Sequence, residues 1–219
     1  MTIAEEIARR SIKEIVHFTT NHGVVGTLAK GALLSRRHLP DESLLRDIAH
    51  PNALTRAEEA THFDKGQDWL NYANLSISEI NRSYFSFSNR WTHNASIFWA
   101  ILSFDSAIAS HKGVFFATTN NVYDHCVREA GLAGFQALFA ASIKRKGNWK
   151  AARGTRPLRL TTCEQAEVLY PDSVSLDHLR RIYVRTDDHH DIVAGWLKLY
   201  NHQNVVVEVA PAKFNGVPN

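Results

Sequence analysis

Apolar positions along the chain recur at two spacings, and the switches between them mark out the elements. The opening "MTIAEEIARRSIKEI" alternates acid and base on a helical period. Thr2 can cap a helix running to about Lys13, with Glu5 and Glu6 at its positive end. "IVHFT", Ile15 to Thr19, reads as a short strand. In "NHGVVGTLAKG" the residues Val24, Val25 and Leu28 share one helical face, and Gly31 supplies a C-terminal stop. Residues 36 to 71 are polar and irregular, with Pro40 and Pro51 among one or two short helices. "YANLSISEINRSYFSFSNRW" follows as a strand-like start, a short helix and a turn.

The most apolar segment is "ASIFWAILSF", Ala95 to Phe104, rich in aromatic and branched residues, which predicts a central strand. "KGVFFATTNN" gives another strand, and two helices are expected over 121 to 130 and 132 to 143. "AEVLY" and "RRIYVRT" are further strands, separated by a short helix near Ser175. Asp187 and Asp188 start a helix that runs through Tyr200, and "NVVVEV" is a last strand. Without repeats or a low-complexity linker, one mixed domain of α and β elements spanning residues 1 to 219 is the economical reading.

Composition narrows the class. The 219 residues are 44 % hydrophobic and 21 % charged, the balance of a globular protein with a real core. No stretch approaches the ~18 uninterrupted apolar residues of a membrane span. The N-terminal segment lacks a signal peptide's apolar run. Cys126 and Cys163 give neither a disulfide framework nor a zinc pattern, so a reduced, cytoplasmic protein is expected. "DDHHD", Asp187 to Asp191, is not a metal site: adjacent residues point in different directions, and the two leading acids suit a helix N-terminus. Cys163 has no paired base that would make it a nucleophile.

Net charge is only +3, but its distribution is uneven. Between Ala130 and Cys163 there is no Asp or Glu, yet Lys144, Arg145, Lys146, Lys150, Arg153, Arg156 and Arg159 all fall there. Gly147, Gly154 and Pro157 break this run, which predicts a loop over 144 to 159. A basic loop carrying one indole, Trp149, suits single-stranded nucleic acid, because cations follow phosphates while the ring stacks on a base. The same run reads equally as a solvated basic surface. Gln165 and Glu167 follow it, and in a strand they would project from one face into one cleft. A fixed carboxylate is useful where a glycosidic bond breaks, because it stabilises the oxocarbenium-like transition state more than the ground state.

"QAEVLYP" resembles the catalytic-loop motif of the DarT family, the nucleic-acid ADP-ribosyltransferase toxins. "VHFTTNHGVVGTLAKGALLS" is similar to the family's His-x-Thr opening and the helix after it. "YANLSISEINRSYF" sits where the family carries a Tyr-Val-x-Phe-type strand leading to an Arg-Ser pair, here Arg82 and Ser83. "GVFFATTNNVYDH" and "SLDHLRRIYV" complete the ordered match. The resemblance implies an α+β fold with a split, mixed or antiparallel sheet and flanking helices, and NAD in the cleft between the sheet halves as ADP-ribose donor, with no metal. His17 and Thr19 would bind NAD, Glu167 would be the catalytic carboxylate within a loop over 161 to 171, and Gln165 would face the acceptor base. The family also uses an arginine near the acceptor, placed here by rough position at Arg56. Where the family has Asn-Leu, this chain has Gly23 and Val24, which passes one NAD contact to Asn21. Arg90 either contacts NAD phosphates or stacks on Trp91.

The acceptor implied is a base in single-stranded DNA, gripped by Lys144, Lys146, Trp149, Lys150, Arg153 and Arg156. "YANLSI" lacks two aromatics of the thymidine-modifying branch, which favours guanine with thymine as the other option. The resemblance also implies an antitoxin partner. An RNA- or protein-directed transferase and a catalytically inactive strand-binding module are the alternatives.

Overall fold

A computed structural model describes residues 1–39, 69–91 and 96–217 of the 219, with the side chains of residues 90 and 91 left out. The first helix, α1 (Ile3–Arg9), is opened by a capping box: Thr2 Oγ1 accepts from the Glu5 N–H, and Glu5 accepts from the Thr2 N–H. It ends short of the expected Lys13. Ser11 takes a left-handed φ of 56°, which turns the chain so that Ile12 is buried and β1 (Glu14–Thr20) can begin. Thr20 then caps α2 (Asn21–Lys30), and Gly31, at φ 69°, stops it in the left-handed conformation a glycine adopts most easily. The strand β2 (Ala32–Leu34) follows.

Past the undescribed segment come β3 (Tyr72–Ile77), α3 (Arg82–Trp91), β4 (Trp99–Asp105) and β5 (Phe115–Ala117). The helix expected over 121–130 is absent. Asn120 and Asn121 bond nearby groups through their side chains, an alternative to helix that Asn readily offers, and the chain turns into β6 (Arg128–Ala130). The next helix, α4 (Gly131–Ala137), stops well before residue 143.

The basic segment is not a plain loop either. Its first part is a hairpin of β7 (Ser142–Lys144) and β8 (Lys150–Ala152), with Gly147 at φ 61° in the turn. Alternation explains it: Ile143 and Ala151 point inward against Cys163, leaving the lysines outside. The chain closes with β9 (Glu167–Pro171), β10 (Ser173–Ser175), β11 (Leu179–Val184), α5 (Asp187–Leu199) and β12 (Val206–Val209).

Eight strands form one sheet in the order β12-β11-β4-β1-β3-β9-β5-β6. Among the described strands only β11 and β12 run parallel. The two central strands are joined weakly. β1 pairs with β4 along seven positions, from Glu14↔Asp105 to Thr20↔Trp99, but with β3 only at Ile15↔Ile77 and Val16↔Ser76. Beyond that point the halves part. One face of the sheet buries Ile15, Leu75, Leu102, Phe116 and Val168 against Val24, Leu28, Phe135 and Val193 of the helices. The other face packs Val16, Ile101 and Tyr183 against Phe85 and Phe214. No described helix is long and apolar enough to cross a membrane.

Candidate active site

The gap between β1 and β3 is filled by a side chain. His17 stands just past the last β1–β3 pair, and its Nδ1 lies 2.8 Å from the backbone oxygen of Asn74. A carbonyl only accepts, so Nδ1 carries the proton and Nε2 keeps a lone pair for a ligand's O–H or N–H. Burial holds the imidazole below its ordinary pKa, against the opposing effect of the Asn74 bond, and it is neutral near pH 7.

Asn74 also reaches the other way. Its Nδ2 donates to Glu167 Oε2 at 2.9 Å, across the β3–β9 pairing that sets Leu75 opposite Val168. The Asn121 N–H donates to the same oxygen at 3.3 Å. Glu167 is the first residue of β9, paired with Ala117 of β5 and half-buried. Two N–H donors therefore fix one carboxylate oxygen while a single residue, Asn74, touches both His17 and Glu167. Arg128 supports the arrangement from behind: its guanidinium donates to Asn121 Oδ1 at 2.5 Å, to the Asn121 and Tyr123 carbonyls, and to the Cys126 carbonyl at 3.1 Å. Asn74, Asn121 and Arg128 were not singled out in the sequence. Asn74 had a visible signal, a polar residue at an alternating position in "YANLSI".

Gln165 is not in the strand with Glu167. It lies in the turn before β9, because the chain leaves the buried Thr161–Ala166 stretch before extending, and a strand's alternation does not relate the two side chains. Gln165 is 6 % exposed, and its Oε1 has no hydrogen-bond partner among the described residues. A buried amide oxygen in that state is uncommon and marks a position where a polar ligand group can be received.

Thr19 packs against the start of α2. A Cβ at Gly23 would lie 2.0 Å from Thr19 Oγ1, so the glycine is what lets the threonine hydroxyl sit there. Asn21 opens α2 with its N–H on the Phe98 carbonyl at 2.8 Å and its Nδ2 on the Ser96 carbonyl at 3.0 Å, while Oδ1 is buried without a described partner. Arg56 lies outside the described residues, and of Arg90 only the backbone, within α3, is described.

The hairpin borders this centre. It rests on Cys163, and Arg145 stands 3.9 Å from Glu164, which accepts a 2.9 Å bond from Ser83. Lys144, Lys146, Trp149 and Lys150 are exposed, the indole at 74 %. Arg153 and Arg156 are turned inward. Arg153 donates to the Pro157 and Leu160 carbonyls at 3.1 and 3.0 Å. Arg156 pairs with buried Glu79 and donates to the Thr161 and Val217 carbonyls, both at 2.9 Å. These two arginines hold the loop's shape. Among the described residues no three His, Cys, Asp or Glu side chains group as a metal site.

A split, largely antiparallel sheet thus places His17 at its gap and links it through Asn74 to Glu167 on β9. The profile of the family described as "ssDNA thymidine ADP-ribosyltransferase, DarT" matches residues 16–215, and the chain belongs to that family. Thermosipho africanus DarTG in complex with ADP-ribose superposes with a TM-score of 0.67 at 15 % identity, covering 94 % of this chain and 52 % of that one. This chain thus spans about half the length of the Thermosipho protein. Thermus sp. 2.9 DarT in complex with ADP-ribosylated ssDNA gives 0.63 at 16 %, over 92 % of this chain and 96 % of that one. The same Thermus protein with NAD+ gives 0.58 at 15 %, over 90 % and 96 %. No curated protein sequence matches significantly.

Proposed function

We propose that this protein transfers ADP-ribose from NAD to a base in single-stranded DNA, with Glu167 as the catalytic carboxylate. The observation that carries the reading is the Asn74 bridge, one residue bonded to both His17 and Glu167. Glu167, fixed by two N–H donors, stabilises the positive charge that develops on the ribose as nicotinamide leaves. A base nitrogen then bonds to the anomeric carbon from the opposite side, and its proton passes to solvent. Neutral His17, with Thr19 and Asn21, binds NAD through hydroxyl or amide groups. Gln165, with its buried oxygen, meets the acceptor base. Thermus DarT, the neighbour solved with NAD+ and with ADP-ribosylated ssDNA, supports donor and acceptor alike.

The hairpin grips the strand. Lys144 and Lys150 face each other in register on its exposed side, and like charges opposed in this way repel until an anion comes between them. Trp149 offers a stacking surface near them. The family's description names thymidine as the modified base. Guanine is the second reading, favoured by "YANLSI", where Asn74 anchors the acid in a strand whose aromatics in thymidine-modifying relatives are reduced to Tyr72. An intracellular toxin role, with an antitoxin that removes the mark or blocks the site, completes the proposal.

The test is incubation with labelled NAD and four homopolymeric DNA strands, alongside matched RNA. Label on one DNA strand supports the reading and names the base. Label only on RNA or on protein, or none on any strand, refutes it.

A further inference from the structure

A second polar cleft lies apart from the His17–Glu167 pair. It has a volume of about 360 Å³ and is walled by Arg82 and Asn89 of α3, by Arg185, and by Asn215, over a floor of Phe85 and Phe214. Arg185 follows β11 directly, and its guanidinium stacks 5.1 Å from the Phe85 ring centre and 4.7 Å from that of Phe214. Burial lowers its pKa from the ordinary arginine value, yet a guanidinium stays charged. No described carboxylate reaches ion-pair distance of Arg185 or Arg82. Other half-buried arginines are satisfied: Arg10 by Glu6 and Arg156 by Glu79, Arg153 and Arg128 by backbone carbonyls. A partly desolvated guanidinium without a carboxylate at ion-pair distance favours an anion beside it.

The cleft also lies on the right side of the sheet. Phe85 and Phe214 pack on Val16, which is paired with Ser76. Ser76 and Asn74 are two apart in β3 and share a face, so the cleft opens on the face that carries Glu167. Ser83, next to Arg82, ties α3 to the catalytic turn through Glu164.

We infer that this cleft is a phosphate-binding subsite in which Arg82 and Arg185 hold a phosphate ester. The planar forks of two guanidinium groups match paired phosphate oxygens, and the Asn215 amide lies at the rim. The inference rests on the transferase reading, whose two substrates are the sources of such a group: a phosphodiester of the strand and the diphosphate of NAD. Both are measured as equilibrium binding without turnover. A fluorescent homopolymeric DNA strand is titrated by anisotropy over a range of salt, and NAD by calorimetry, against wild type, Arg82→Gln and Arg185→Gln. Arg82 is exposed, so its variant leaves the Phe85–Phe214 stack untouched even if the Arg185 variant loosens it.

A strand contact appears as about tenfold weaker strand binding and a salt slope shallower by about 0.7, with NAD affinity unchanged. A diphosphate contact appears as about tenfold weaker NAD binding with the strand unaffected. Unchanged affinity for both ligands overturns the inference, as does an equal loss in Lys112→Gln, a charge-matched control outside the cleft lining. Failure of transfer with these losses intact would count against the proposed reaction and leave the subsite standing.

Discussion

The Glu167 centre and the hairpin at residues 142–152 solve opposite problems with opposite means. At the centre one acid is held by neutral donors, the Asn74 amide and the Asn121 N–H, and the Asn74 carbonyl in turn accepts from a neutral imidazole. Its parts sit on β1, β3 and β9, inside the sheet and set by ladder register. The hairpin is a two-stranded outlier with lysines opposed on its outer side. Stabilising a cation that exists only during reaction needs a charge whose position is fixed beforehand, because reorganisation at that moment raises the barrier. Holding a polyanion needs charge density and tolerates loose geometry, because phosphates are read as charge. A fixed acid sits within the sheet's ladder, and exposed charge sits on the outlying hairpin.

That division predicts separable losses. Glu167→Gln keeps the shape of the side chain and the strand-binding surface but removes the anion. Transfer should fall by about 10²–10³-fold or more in kcat, with strand affinity unchanged. Asn74→Ala should come next. Losing one donor to a charged group costs about 1.5–3 kcal/mol, or about 10- to 150-fold in kcat, and the protein should remain folded because Asn74 is exposed. Single-turnover kinetics separate this loss from binding. An Asn74→Ala enzyme with wild-type kcat would show that the bridge does not position the acid.

The two regions were unequally legible. Glu167 and His17 could be proposed from short ordered motifs, and Thr2, Gly31 and Ser175 marked their element ends through local capping chemistry that depends on neighbours alone. Asn74 was hidden because its role depends on register: only the β3–β9 pairing brings it to Glu167, ninety-three positions along the chain. The shared face expected for Gln165 and Glu167 failed for a related reason, since two residues share a face only where the strand has already begun. The hairpin was hidden by its own basic residues. Gly147 and the lysines argued for a loop, whereas the deciding residues were the small inward pair Ile143 and Ala151 and their contact with Cys163. Arg153 and Arg156 look like their neighbours in sequence, and only the carbonyls and Glu79 around them give them a structural task.

A middle-sized effect should appear in the hairpin, with two signs at once. Replacing Lys144 and Lys150 together by Gln removes two phosphate contacts, so the salt slope for a single strand should flatten by about 1.4. The same change relieves a repulsion between opposed lysines, so the free protein should gain about 0.2–1 kcal/mol of stability in urea. Trp149→Ala should cost about 1–3 kcal/mol of strand binding while leaving the fold alone, since the indole is 74 % exposed. Strand binding that survives all three changes would remove the hairpin from the interface.

The smallest effect lies at the centre and depends on pH. Burial lowers the pKa of His17, so the unfolded chain, whose imidazole titrates near about 6.5, binds the proton more readily than the folded one. Stability should be fully present above about pH 6.5 and decline as pH falls through the folded pKa, with a slope from this group of at most about 1.4 kcal/mol per pH unit. His111 and His189 are also lowered by burial and add slopes of the same sign, so wild type alone does not isolate the group. The measurement is therefore a difference: urea unfolding of wild type and His17→Gln at about pH 5 and about pH 7.5. Gln can still donate to the Asn74 carbonyl but takes no proton, and its pH dependence should be shallower. NAD affinity should follow in parallel, because protonation removes the Nε2 lone pair. Identical slopes in the two proteins would mean that His17 titrates as it does in the unfolded chain, and the sheet gap would then be open to water where a buried, neutral acceptor is required.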